Sequence, residues 1–252
     1  MIKKTIKKLA LAICFVLICE GLYLLIDNPI IFPSPFSVIG IMIADLGQKQ
    51  FYQITLVSLG RVLFGVFASL LLGILIAFLR FFHQNMSWID RLILILRSIP
   101  NVTLVILFLF WVDGEKSIFF VMFLVLFPIV YQACVDALYT IQKQWSTVFE
   151  IYPQPRSYMI KAIYVPMLAD TLQSVIVSIS SLGFKVGVMA EILSQVRLGI
   201  GHSMQIAKLN IDIASLTAWT LWLLVLIFLI EKGIKKGIVT IEKKKEKEYG
   251  EG

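Results

Sequence analysis

The chain has 252 residues, 59% of them hydrophobic and 15% charged, with a formal net charge of +7 and a mean hydropathy of +0.88. That balance excludes an ordinary soluble domain, and the length has room for about six membrane spans of roughly 20 residues each. The positive charge does not read as nucleic-acid binding. Lys3, Lys4, Lys7 and Lys8 precede the first apolar run, and Lys232, Lys235, Lys236, Lys243, Lys244, Lys245 and Lys247 follow the last. Basic clusters at span ends fix orientation and meet anionic lipid.

In chain order, the apolar runs predict spans over about 9–27, 54–79, 89–112, 117–137, 167–193 and 212–231. The first follows KKTIKK, but Glu20-Gly21 only interrupts its apolar run and no small-residue cleavage site follows, so an uncleaved span is expected. Between the first two spans, FPSP denies a continuous helix, and the short SVIGIMIADLG piece is expected to lie along the outer interface. With both termini in the cytoplasm, only Lys49, Lys116, Arg197 and Lys208 fall outside. An odd number of spans would export one of the lysine-rich ends, against the positive-inside rule. The expected fold class is therefore an all-α integral membrane protein of six transmembrane helices, both termini cytoplasmic. Its parts are the first span with an outer interfacial segment (1–53), a five-span core (54–231), and a charged, frayed cytoplasmic tail (232–252).

The stretch 138–166, LYTIQKQWSTVFEIYPQPRSYMIKAIYVP, stands apart from its apolar flanks. It carries both charge signs and is punctuated by Pro153, Pro155 and Pro166. It is too long for a tight turn and too polar for lipid, so it is expected to face another protein or to cap the bundle from the cytoplasm.

Ionisable residues inside spans are costly in lipid. Arg61 lies near the outer end of its span, where it could snorkel. Arg97 precedes Ser98-Ile99-Pro100-Asn101, where the proline breaks the helix and frees backbone carbonyls. Lys185 sits within the fifth span and Glu191 follows nearly two turns later. The residues leave two roles open for Lys185: contact with an anionic solute, or an ion pair with Glu191 that fixes helix packing. Cys14, Cys19 and Cys134 read as small apolar residues, and the two histidines, His83 and His202, have no metal-binding motif around them. No nucleophile elbow and no phosphate-cradling glycine loop occurs, so this chain is expected to be neither an enzyme nor the holder of a metal or cofactor.

Several motifs then fall into one order: FPSP (Phe32 to Pro35), TLVSLGRVLFGV (Thr55 to Val66), LRSIPNVTLVILFLFWV (Leu96 to Val112), FPIVYQ (Phe127 to Gln132), IYVP (Ile163 to Pro166), SLGFKVGVMAEIL (Ser181 to Leu193), IGHSMQIAK (Ile200 to Lys208) and LTAWT (Leu216 to Thr220). In that order and spacing the chain resembles the membrane subunits (permeases) of bacterial ATP-binding-cassette importers, in the branch that handles nitrate, sulfonates, taurine and pyrimidine precursors. The family's cytoplasmic signature is Glu-Ala-Ala, a later Gly, then Ile-x-Leu-Pro. Here Ile163-Tyr164-Val165-Pro166 matches its end with Val165 in place of Leu, while Pro153 occupies the glycine slot and Thr147-Val148-Phe149 the Glu-Ala-Ala slot. Proline cannot take the positive φ that glycine allows, so the turn between the two short helices must be built differently, on the Pro153-Gln154-Pro155 corner.

The resemblance implies a bacterial inner-membrane permease acting as a homodimer, fed by an extracytoplasmic solute-binding protein. A separate ATPase dimer binds beneath and uses the ATP and Mg. The loop would engage that ATPase through Phe149, Tyr152, Tyr158 and Ile160 as an apolar plug, with Glu150 and Arg156 at its rim. Pro153 and Ile163 lie in the motif, and Pro166 would stop the loop helix and set the angle at which the fifth span starts. Arg97, Pro100, Asn101, Lys185 and Glu191 would belong to the solute pathway or to helix packing, the solute being a small anion or a heterocyclic nutrient. Three other readings stay open: the membrane substrate-binding subunit of a vitamin-type importer, a non-transporting scaffold, and a decayed paralogue.

Overall fold

The computed structural model describes residue 14, residues 16–26, residue 28 and residues 30–250, and its regular structure among these residues is helical throughout. The basic N-terminus and the start of the first expected span lie outside the described residues. The helices are α1 (Val16–Ile26), α2 (Pro35–Leu46), α3 (Lys49–Phe82), α4 (Trp88–Ser98), α5 (Asn101–Trp111), α6 (Gly114–Gln144), α7 (Ser146–Ile151), α8 (Arg156–Met159), α9 (Val165–Leu193), α10 (Ile200–Leu209) and α11 (Ile213–Gly250). Among the described residues four helices are long and apolar enough to cross a bilayer, or five if the bent pair α4–α5 is one span.

The core is the packing of α3, α6 and α9. The buried positions of α3 are Phe51, Ile54, Ser58, Val62, Gly65, Val66, Ser69, Gly73 and Ala77, recurring every three or four residues as one helical face requires. Most of its inner half is small, which lets backbones approach closely where lipid supplies no hydrophobic drive between helices. Gly65 faces Met122 of α6, and Gly73 faces Val130 and Tyr131. From α9, Gly183 and Gly187 present their flat sides to Val62, Val66, Met122 and Leu126. α6 is the central helix, with Ile118, Val121, Met122, Leu126, Val130, Tyr131, Cys134 and Leu138 fully enclosed. α2 begins after Ser34, whose hydroxyl accepts the Phe36 N–H as an N-cap.

Four boundaries differ from the sequence expectations. The span expected over 89–112 is two helices at 98° to one another. Ile99, preceding the proline, is extended (φ −79°, ψ 127°), because the Pro100 ring disfavours the helical region there. α6 runs on to Gln144 rather than stopping near 137. Pro166 does not stop a helix: a π-helical turn over Ile160–Tyr164 joins α8 to α9, so Arg156–Leu193 is one continuous helix of 38 residues. The Val165 N–H reaches back to the Ile160 carbonyl, and this widened turn accommodates a proline that has no N–H of its own to offer. Finally, the tail is helical through Gly250 rather than frayed. Its Lys and Glu residues are good helix formers, and Lys235 pairs with Glu231 one turn before it.

Candidate functional site: a loop corner, a helix break and a buried ionic latch

At the loop end, α6 gives way at Trp145 to α7, residues 152–155 form a non-helical corner, and α8 leads back into the bundle. Glu150, Ile151, Tyr152, Pro153, Arg156 and Tyr158 are all exposed on it. Phe149, expected in the apolar plug, instead turns inward and is half-buried against Tyr164, ring centroids 6.1 Å apart. Ile160 and Ile163 are also half-buried, Ile163 against the core, and Pro166 is exposed on the first turn of α9. Tyr164 in turn packs edge-on against Phe81 (5.1 Å) and Phe82 (6.0 Å) of α3, and Phe81 against Tyr139 of α6 (5.3 Å). This aromatic joint abuts an ion pair. Arg80 Nε donates to Asp90 Oδ2 (3.0 Å), Arg80 Nη1 to the Tyr139 hydroxyl (3.2 Å), and the Tyr131 hydroxyl to Asp90 Oδ1 (2.6 Å). Contacts thus run without interruption from α7 to the start of α4.

α4 ends at the break. Arg97 is exposed there, lining a cleft of about 220 Å³ with Leu96, Ile99, Asn101, Val125 and Leu182. Pro100 is the N-cap of α5 and supplies no side-chain cap, and Asn101 is the first helical residue. Lys185 lines a neighbouring cleft of about 370 Å³ with Val102, Met189, Ile192, Met204 and Leu223. Asn101 and Val102 are adjacent, and Leu182 and Lys185 are one turn apart on α9, so the two clefts adjoin along the break.

Lys185 and Glu191 do not meet. Six residues on an α-helix amount to about 600°, which sets the two side chains roughly 120° apart around the axis. Lys185 is exposed, whereas Glu191 is 1% exposed. Glu191 belongs to a latch at the opposite end from the loop. It accepts Arg61 Nη1–H (2.7 Å), the Ser58 hydroxyl (2.8 Å) and the Gly201 N–H (2.8 Å). Ser58 Oγ accepts the Ile200 N–H (2.8 Å), and Arg61 Nη1 also donates to the Leu198 carbonyl (2.7 Å). Arg61 Nη2 pairs with Glu115 at the start of α6. Arg61 therefore does not snorkel; it is the cation that satisfies the buried Glu191. Gly199, with φ 144°, is where only a glycine fits, since a Cβ there would lie 2.6 Å from Glu191 Oε2. The latch ties α3, α6, α9 and the N-terminus of α10 together, with its buried polar groups paired as burial demands.

Beside α10 lies a polar cleft of about 330 Å³ lined by Asp45, Gln48, Arg197, His202, Asn210 and Asp212. Burial raises the Asp45 carboxyl above its ordinary range, and the hydrogen bond from Trp222 Nε1 (3.1 Å) only partly offsets this. Asp212 is held below its ordinary range by Ser215, whose hydroxyl and N–H both donate to it at the start of α11. Among the described residues no group of three His, Cys, Asp or Glu could hold a metal ion.

Long apolar helices, small-residue interfaces and a buried ion pair are the architecture of a multi-pass membrane protein. No family model matches the chain. It is similar to a protein of Methanocaldococcus jannaschii named as an ABC transporter permease, 33% identical over 135 residues that make up 51% of each chain. The matched part thus spans about half the length of that relative.

Proposed function

We propose that this chain is the membrane-spanning permease subunit of an ABC importer, with six spans and both termini in the cytoplasm. The observation that carries the reading is the loop corner. An exposed tip of Ile151, Tyr152, Pro153 and Tyr158, rimmed by Glu150 and Arg156, is mounted on two long helices, α6 and the α8–α9 helix. Such a tip suits a partner protein better than solvent. Phe149 and Tyr164 key it to α3, and the Arg80–Asp90 pair continues the contact to α4, so a push on the tip is delivered to the helix break rather than absorbed by a loose loop. The named relative points the same way. In this reading two copies of the chain enclose the pathway, a separate ATPase dimer engages the tip, and an extracytoplasmic protein delivers the solute.

The test is affinity purification of the tagged protein from its native membrane, with co-purifying chains identified by mass spectrometry. An ATP-binding-cassette protein is expected in the eluate, falling at least tenfold with Glu150→Lys plus Tyr152→Ala. Recovery of folded permease should stay unchanged, because both side chains are exposed. No ATPase even after gentle crosslinking would sink the reading. An ATPase whose turnover ignores solute in vesicles would mean a scaffold rather than a transporter.

A further inference from the structure

Arg97 and Lys185 are 88 positions apart in the sequence, yet the fold brings them to adjoining clefts on one side of the helix break. Neither forms a salt bridge among the described residues. No acidic residue lines either cleft. In the six-span reading both lie within spans: Lys185 is eight residues inside the Leu193 end of α9, about 12 Å along the axis, and Arg97 is in the last turn of α4, at the break between the two halves of the bent span. An arginine or lysine facing lipid at such depth costs on the order of 3 kcal/mol each. Two of them on one face, with nothing to neutralise them, are more than packing needs. The latch shows the contrast: there the same chain pairs its intramembrane cation fully with Glu191 and Glu115. The first turn of α5 adds to the positive field, since its N-cap is a proline and no side chain caps it.

We infer that this face is the wall of an aqueous pathway selecting for anions, with Arg97 and Lys185 as successive contact points along it. The inference rests on the permease reading and narrows its solute class from anion or neutral heterocycle to a small anion. Low-dielectric walls around unpaired cations concentrate anions and repel cations. Apolar Val102, Met189 and Leu223 between them offer no tight site, so the anion is drawn in without being trapped.

The test places one cysteine in the wall. Val102→Cys is introduced after Cys14 and Cys19 are replaced by alanine, with Cys134 left buried. Membranes are treated, with and without ATP, with a sulfonate-bearing and a trimethylammonium-bearing methanethiosulfonate, each rate being normalised to that of a free thiol. The anionic reagent is expected to react at least tenfold faster than the cationic one. That preference should fall toward unity with Lys185→Met plus Arg97→Gln, and survive Lys185→Arg. Equal normalised rates in the parent protein would overturn anion selection while leaving the pathway and the permease reading in place. Modification by neither reagent, with or without ATP, would overturn the wall itself, whereas the permease reading stands or falls separately on recovery of the ATPase.

Discussion

Glu191→Ala is expected to lower stability by about 3–5 kcal/mol, the range for removing one partner of a buried ion pair. For a chain of this size that corresponds to a fall of roughly 10 °C in the melting midpoint of the detergent-solubilised protein. The substitution strands the Arg61 guanidinium on the exposed Glu115 and leaves the Ser58 hydroxyl and the Gly201 N–H without their acceptor. Glu191→Gln keeps an acceptor for both and should cost about half as much. Lys185→Met is the informative companion, because a Lys185–Glu191 pair would make it as damaging as Glu191→Ala. With Lys185 exposed and unpaired, the midpoint should stay within about 2 °C of the parent. The assignment of the latch fails if Glu191→Ala melts with the parent, or if Lys185→Met falls as far.

The second large effect is expected where α3 and α6 touch. A Cβ on Gly73 would sit 2.7 Å from Val130 Cγ1, 2.8 Å from Val130 Cβ and 3.3 Å from the Tyr131 nitrogen. Valine there cannot be absorbed by one rotamer change, because the obstacle is the root of a β-branched side chain and the backbone beside it. The two helices must separate along their main interface, at a cost of about 3 kcal/mol or more. Gly65 is the control. Its nearest neighbour is the flexible end of Met122, at 2.9 Å, which can swing aside. Gly73→Val should therefore yield mostly aggregated protein on size-exclusion chromatography at a temperature where Gly65→Ala remains monodisperse. Matching profiles for the two would show that the interface is not close-packed at Gly73.

Much of this fold is legible in the sequence because lipid imposes a simple rule: backbone polar groups must be satisfied within the segment, so long apolar runs become helices. Pro100 is legible for the same local reason, since a missing N–H and a bulky ring break a helix wherever they occur. What escapes is what depends on distant partners. Arg61 and Glu191 are 130 residues apart, and no periodicity links them; sequence proximity instead suggested Lys185. A signal was nevertheless present, because α3 enters and α9 leaves the bundle at the same end, and both residues lie within a few turns of it. Phe149 looked like part of the outward plug because the loop is polar as a whole. Its inward turn depends on Tyr164, which the sequence places close by but does not orient. The continuity through Pro166 was hidden too, because a proline reads as a stop unless the turn before it is known to widen.

That widened turn has a bearing on how the corner is aimed. A π-helical turn holds one residue more than an α-turn, so it shifts the angular phase of everything on its far side by one residue, about 100° around the helix axis. The heading of Tyr158 and Arg156 relative to the core face of α9 is therefore set by residue count across Ile160–Tyr164. The tip is clocked like a key cut on a shaft. A chain one residue shorter there would keep every side chain of the tip and present them in another direction.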